Sequence, residues 1–209
     1  PRIIDMNDSD PVITRPFIHI KPRKGWQLIN FSELKEYRDL LYFLVLRDIK
    51  VKYKQTVLGG LWAIIQPFFS MVVFTLFFGQ LARIPSDGIP YPIFSYSGLV
   101  AWAYFAHSII GSVQSLIGNA GLISKVYFPR LIIPLIPLLA GLLDFLIASL
   151  VLIGMMLCFK IYPTVYIFLL PFLVVLMMLT AGGVGMLLAA LNAKYRDIGY
   201  TVPFLVQLW

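Results

Sequence analysis

Four apolar segments, roughly 58–80, 93–117, 131–159 and 162–191, dominate this chain. Each reaches the length of about 20 residues that a helix needs to cross a bilayer. In lipid the backbone can satisfy its own polar groups only as a helix or a closed barrel. These runs are continuous rather than alternating, so the spans are expected to be helices and not barrel strands. Composition leaves little else: 59% of the residues are hydrophobic and 13% charged, with mean hydropathy +0.84. Such a chain has too little polar surface to clothe a soluble domain. The expected fold class is all-α, a polytopic helical membrane protein.

The formal net charge is +7, and its placement matters more than its size. Arg38, Arg47, Lys50, Lys52 and Lys54 precede the first span, Lys125 and Arg130 lie between the second and third, and Lys194 and Arg196 follow the fourth. The intervening loops on the other side hold only Arg83 and Lys160. This is the positive-inside pattern, which puts the N-terminus in the cytoplasm and the basic loops against anionic lipid. The excess charge is therefore assigned to the membrane and not to nucleic acid.

Three regions follow. Residues 1–30 are broken by Pro1, Pro11, Pro16 and Pro22 and are read as a cytoplasmic arm. Asn30 with Glu33 has capping-box spacing, and Ile29 and Leu34 are placed as a hydrophobic staple, so a helix is expected to start there. The region 31–57 has an apolar middle, Leu40–Leu46, too short to cross and flanked by charge. It is expected to be an interfacial helix on the cytoplasmic leaflet, followed by a basic run-in. The alternation of Ile49, Val51 and Tyr53 with Lys50, Lys52 and Lys54 also fits a strand, but a lone strand there has nothing to pair with. Residues 58–209 form the transmembrane region, with a fifth span expected to begin near Thr201. Because the chain begins at Pro1 and stops at Trp209 inside an apolar run, it is read as a piece of a longer protein.

Few residues offer chemistry. There is no G-x-x-x-x-G-K-[ST] loop, so ATP hydrolysis by this chain is not expected. No His, Cys and carboxylate group has metal-ligand spacing. Cys158 is alone in an apolar run, which allows no disulfide. Asp144 stands midway in the third span, and an intramembrane carboxylate is either a functional site or a hydrogen-bonded packing group. His107 poses the same choice. Ser97, Ala101, Tyr104, Ser108, Ser112 and Ser115 recur at helical spacing in the second span. They fit tight helix packing or a hydrated path with Tyr104 stacking on a sugar. Trp62, Gln66 and Ser70 make a similar stripe in the first span. In the fourth, Ala181, Gly185 and Ala189 have small-xxx-small spacing and are expected to pack closely. The inside loop Gly118–Arg130 mixes apolar and basic residues. Tyr127 and Phe128, expected to be exposed beside Arg130, make it the best candidate for contact with a partner protein.

Three stretches carry a resemblance to a known family: Arg47–Pro67 (RDIKVKYKQTVLGGLWAIIQP), Leu122–Arg130 (LISKVYFPR), and Leu191–Ile198 (LNAKYRDI) running into Pro203–Trp209. In this order they resemble ABC-2-type polysaccharide export permeases. Gly25–Asn30 and Tyr37–Tyr42 are similar to the O-antigen (lipopolysaccharide) exporter branch. The resemblance implies a six-span permease of the bacterial inner membrane. It would work as a homodimer with two separate ATP-binding subunits, which hold the ATP and magnesium, and would carry no cofactor itself. The substrate implied is a lipid-linked polysaccharide threaded outward from the cytoplasmic face. The resemblance further implies that 118–130 is the element coupled to the ATPase, with Gly121, Ser124, Lys125, Tyr127, Phe128, Pro129 and Arg130 as its contact residues. The segment 31–46 would be an interface helix near the polymer entrance, with Arg47, Asp48, Lys50, Lys52, Tyr53 and Lys54 anchoring that entrance. Trp62, Gln66, Ser70, Ser97, Tyr104, Ser108, Ser112 and Asp144 are candidates to line the path.

Three rivals remain at this stage. A permease of the same fold could move capsule, teichoic acid, a lipid or a drug. An integral-membrane glycan transferase would show clustered acidic residues at a membrane face, and none are visible. A channel or secondary carrier would have no use for the basic, aromatic inside loop.

Overall fold

The computed structural model describes residues 35–54, 59–86, 88–162 and 164–208. The arm at 1–30 and the capping box at Asn30 and Glu33 lie outside the described residues. Helix α1 is Arg38–Lys54. A short turn, Gly59–Leu61, leads into α2, Trp62–Phe74, which continues as a π-helical stretch over Thr75–Leu81. Helix α3 is Tyr91–Gly118, α4 is the single turn Ala120–Ile123, and α5 is Ile132–Cys158. A 3-10 turn, Val165–Leu169, opens α6, Leu170–Lys194, and α7 is Ile198–Leu208. Four of these segments, Trp62–Leu81, Tyr91–Gly118, Ile132–Cys158 and Val165–Lys194, are long and apolar enough to cross a membrane. They match the expected spans, with ends moved by a few residues where proline and turn chemistry decide. Pro92 sits in the first turn of α3, where its missing N–H breaks no helical bond.

Helix α3 is the hub and packs against α2, α5, α6 and α7. Its core face brings Tyr104, Ile109 and Val113 against Leu138 of α5, Ala181 of α6 and Val202 of α7. A second cluster joins Met71 of α2 to Tyr96 and Val100 of α3 and Ala148 of α5. Polar side chains tie these helices to one another's backbones. The Tyr104 hydroxyl donates to the Leu138 carbonyl (3.1 Å), Ser112 Oγ to the Pro134 carbonyl (2.7 Å), and Asn192 Nδ2 to the Val113 carbonyl (2.8 Å). The small residues of α6 pack as their spacing predicts. Ala181, Gly185 and Ala189 are buried, and a Cβ on Gly185 would lie 2.8 Å from Ser112 Cβ. Only glycine lets α6 approach α3 this closely.

The run Ile49–Lys54 is helical, continuing α1, which decides between the strand and helix readings. Helix α1 also packs along α5. Leu44 packs on Ile132, Ile133 and Ile136 near the start of α5. Further along, Lys52 and Tyr53 reach Asp144, two to three turns higher on the same helix. The two helices therefore share contact over successive levels, because α1 presents Leu40, Leu41, Leu44 and Val45 as one apolar face that α5 covers. The same register places Trp62, the first residue of α2, beside the midpoint of α5: both Trp62 and Asp144 wall one cavity.

Candidate functional site

The sequence reads Asp144 either as a functional carboxylate or as a group that hydrogen-bonds a neighbouring helix. The structure gives it two partners from α1: Lys52 Nζ forms an ion pair with one carboxylate oxygen, and the Tyr53 hydroxyl donates to the other. The carboxylate is 23% exposed and the Lys52 side chain 57% exposed, so the pair is half open to solvent. Burial, the hydrogen bond to Asp144 and the nearby negative charge together hold the Tyr53 hydroxyl well above its ordinary acidity, so it remains a donor. The turn after α1 closes over the Tyr53 ring at Gly60, where a Cβ would lie 2.9 Å from Tyr53 Cε1. Asp144 thus fastens the junction of α1 and α2 to the middle of α5.

Beside this junction is a cavity of about 210 Å³ between α1, α2, α3 and α5. Lys52, Trp62, Gln66, His107 and Asp144 provide its polar and aromatic groups, and Val100, Tyr104, Phe145 and Ala148 its apolar wall. Pro67 in α2 lacks an N–H, which deprives the Ala63 carbonyl of its helical donor, and both residues line the cavity. His107 Nδ1 lies 2.7 Å from the Ala103 carbonyl, which makes Nδ1 the donor. At the far end of the bundle a wider groove of about 710 Å³ is walled by Phe78, Tyr91, Phe94, Trp102, Ser97 and Gln207, among others.

The predicted stripes divide between these places. Trp62, Gln66 and Asp144 face the inner cavity. Ser97 faces the outer groove and donates to the Phe94 carbonyl (2.8 Å). Ser70 is half-buried. Tyr104, Ser108 and Ser112 are buried at helix–helix contacts, with only Tyr104 also edging the cavity. Their recurrence in the sequence reflects the α5- and α6-facing side of α3. Among the entrance residues, Arg47, Lys50 and Lys54 are exposed and Asp48 is half-buried.

The loop between α3 and α5 carries the other candidate surface. Tyr127 is 71% exposed, and Gly121, Ser124, Lys125 and Arg130 are also exposed, while Pro129 is half-buried. Phe128 corrects the expectation of an exposed aromatic pair. It is only 6% exposed and packs in a cluster with Leu44, Ile132, Ile133 and Ile136. The chain leaving α4 must turn into α5, and burying Phe128 fixes that turn while turning Tyr127 outward. Sequence reasoning missed Asn119, which accepts a hydrogen bond from Arg47 of α1 (2.9 Å). It also missed Asn192, buried against α3. Both are polar residues at helix ends, a signal shared with ordinary caps.

A bundle of apolar helices with basic loops gathered at one end, a largely apolar cavity edged by a few charged and polar groups, and an aromatic groove defines a polytopic helical membrane protein. The sequence model of the ABC-2 type transporter family matches residues 39–209, and the chain belongs to that family. It is 30% identical over 178 residues to the O-antigen export system permease protein RfbA of Myxococcus xanthus, covering 85% of this chain and 67% of the relative. A Klebsiella pneumoniae protein of the same name is 32% identical over 171 residues, 81% of this chain and 65% of the relative. The polysialic acid transport protein KpsM of Escherichia coli is 30% identical over 79 residues, 38% of this chain and 31% of the relative. The chain spans about two thirds of the length of the RfbA relatives.

Proposed function

We propose that this chain is the permease subunit of an ATP-driven ABC exporter that moves a lipid-linked polysaccharide, foremost O-antigen, from the cytoplasmic face across the bacterial inner membrane. It acts as a homodimer with two ATP-binding subunits, which hold ATP and magnesium. The basic end of the bundle faces the cytoplasm, as the positive-inside rule requires. The observation that carries this reading is the loop between α3 and α5. Buried Phe128 stiffens a short surface on which Tyr127, Lys125 and Arg130 stand outward, at the end of a bundle that belongs to a transporter family. A rigid aromatic–basic projection is suited to seating in a cleft of a soluble partner.

The O-antigen relatives support a polysaccharide as cargo. The outer groove suits it as well: Tyr91, Phe94 and Trp102 offer rings for the apolar faces of sugars, and Ser97 and Gln207 offer polar atoms for hydroxyls. A capsule polymer is the second reading, favoured by the similarity to KpsM.

The test is purification of the tagged, full-length protein in mild detergent, with mass spectrometry of co-purifying chains and analysis of surface polysaccharide in a deletion strain. An ATP-binding subunit in near-equal amount and loss of one surface polymer are expected. A protein that is folded and alone, in a strain with an unaltered surface, would sink the reading.

A further inference from the structure

The loop after α3 and helix α1 lie far apart in sequence yet share one core. Phe128 from the loop and Leu122 and Ile123 from α4 pack with Leu44 of α1 over Ile132 and Ile133 of α5. At the rim of this cluster Arg47 donates to Asn119 Oδ1 (2.9 Å). A close-packed cluster of this kind does not deform continuously, so its parts move together. The next fixed point along α1 is Lys52 and Tyr53 on Asp144, about 8 Å of helix further on. That point is a wall of the inner cavity.

We propose that α1 and the loop form one rigid lever, which carries displacement of the docked loop to the Lys52/Tyr53–Asp144 junction and so reshapes the inner cavity. Arg47 and Asn119 are positioning residues that hold the lever together. The proposal rests on the docking role given to the loop above. The competing route runs straight along α3 and α5, to which the loop is covalently joined, and leaves α1 a passenger. The two routes differ in what happens when α1 is released from α5 with the loop untouched.

The experiment uses the full-length permease with its ATP-binding subunit, in cells that depend on it for surface polysaccharide. Lys52→Gln with Tyr53→Phe cuts the far joint. The subunit should still co-purify and hydrolyse ATP, while surface polymer falls by about tenfold, the range of a coupling between two sites. Unchanged surface polymer would make α1 a passenger and overturn the lever. Loss of the subunit would overturn it too, since the joint would then be shaping the docking surface and not transmitting its motion.

A second measurement guards against misfolding. In a background with Cys158 and any other native cysteine of the full-length protein changed to serine, Arg47→Cys and Asn119→Cys should weaken export, and a thiol cross-linker spanning the two positions should restore it. Export that stays low, or falls further on bridging, means that loop and helix must move apart, which overturns the lever. If the unaltered permease brings down no ATP-binding subunit, the docking reading itself fails, a result separate from failure of either variant.

Discussion

Asp144 and Lys52 form an ion pair across ninety-two positions of sequence. The pair joins a helix that looks peripheral to the centre of the third apolar span. Its energetic weight is modest, because the lysine is more than half exposed. A double-mutant cycle with Lys52→Met and Asp144→Asn in detergent should give a coupling of about 0.2–1 kcal/mol. A coupling near zero would mean that Tyr53 alone holds the carboxylate.

Tyr53 gives a pH signature. Its hydroxyl is held above the ordinary tyrosine value of 10.0, so the phenol keeps the proton that it donates to Asp144 at every pH below that value. Its contribution is lost only as pH rises through the raised value of the folded state. In a difference titration of tyrosinate absorbance, the band missing from Tyr53→Phe should be one that appears last on the alkaline side. A missing band near pH 10.0 or lower would show that the ring is not seated against Asp144.

The loop separates anchoring from contact. Tyr127→Ala with Arg130→Ala should leave thermal stability nearly unchanged and release the ATP-binding subunit on co-purification. Phe128→Ala empties a buried site and should cost about 3–5 kcal/mol. If Phe128→Ala is neutral in a melting experiment, the cluster around Ile132 does not hold the loop.

Gly185→Ala tests the close approach of α6 to α3. The added methyl meets Ser112 Cβ at 2.8 Å, and overpacking of this kind costs about 1–3 kcal/mol. Gly183→Ala is the control, since Gly183 is exposed and a Cβ there meets nothing within 4 Å. Equal melting temperatures for the two variants would remove the argument from spacing.

Tyr104 was equally readable as packing or as a wall of a path. The structure buries it with its hydroxyl on the Leu138 carbonyl. Tyr104→Phe should cost about 1 kcal/mol and leave export unchanged. A large loss of export with a normal melting temperature would return the ring to the path.

What the sequence shows well is what depends on composition and spacing along one helix. The four spans and the close packing at Gly185 follow from apolar run length and small-residue period. Less visible is what depends on register between helices. The stripe from Ser97 to Ser115 reads as one face, yet Ser97 opens to a groove while Ser108 and Ser112 are buried, because a span of this length meets different neighbours at different depths. Asp144 showed no partner because its partners lie in a segment that reads as surface. Phe128 and Tyr127 are adjacent and alike, and nothing short of the turn into α5 tells which one points inward.

The shared register of Trp62 and Asp144 changes what kind of place the carboxylate occupies. From Trp62 to Leu81 the first span is 20 residues, about 30 Å, which alone matches the hydrocarbon of a bilayer. Asp144 shares a cavity wall with Trp62, the first residue of that span, so the carboxylate lies nearer a boundary of the first span than its place midway along α5 suggests. An ionised pair at such a boundary keeps access to water and to mobile counterions. Replacing it with apolar side chains would then gain little from the membrane, and the strength of the contact would follow the salt concentration on that side.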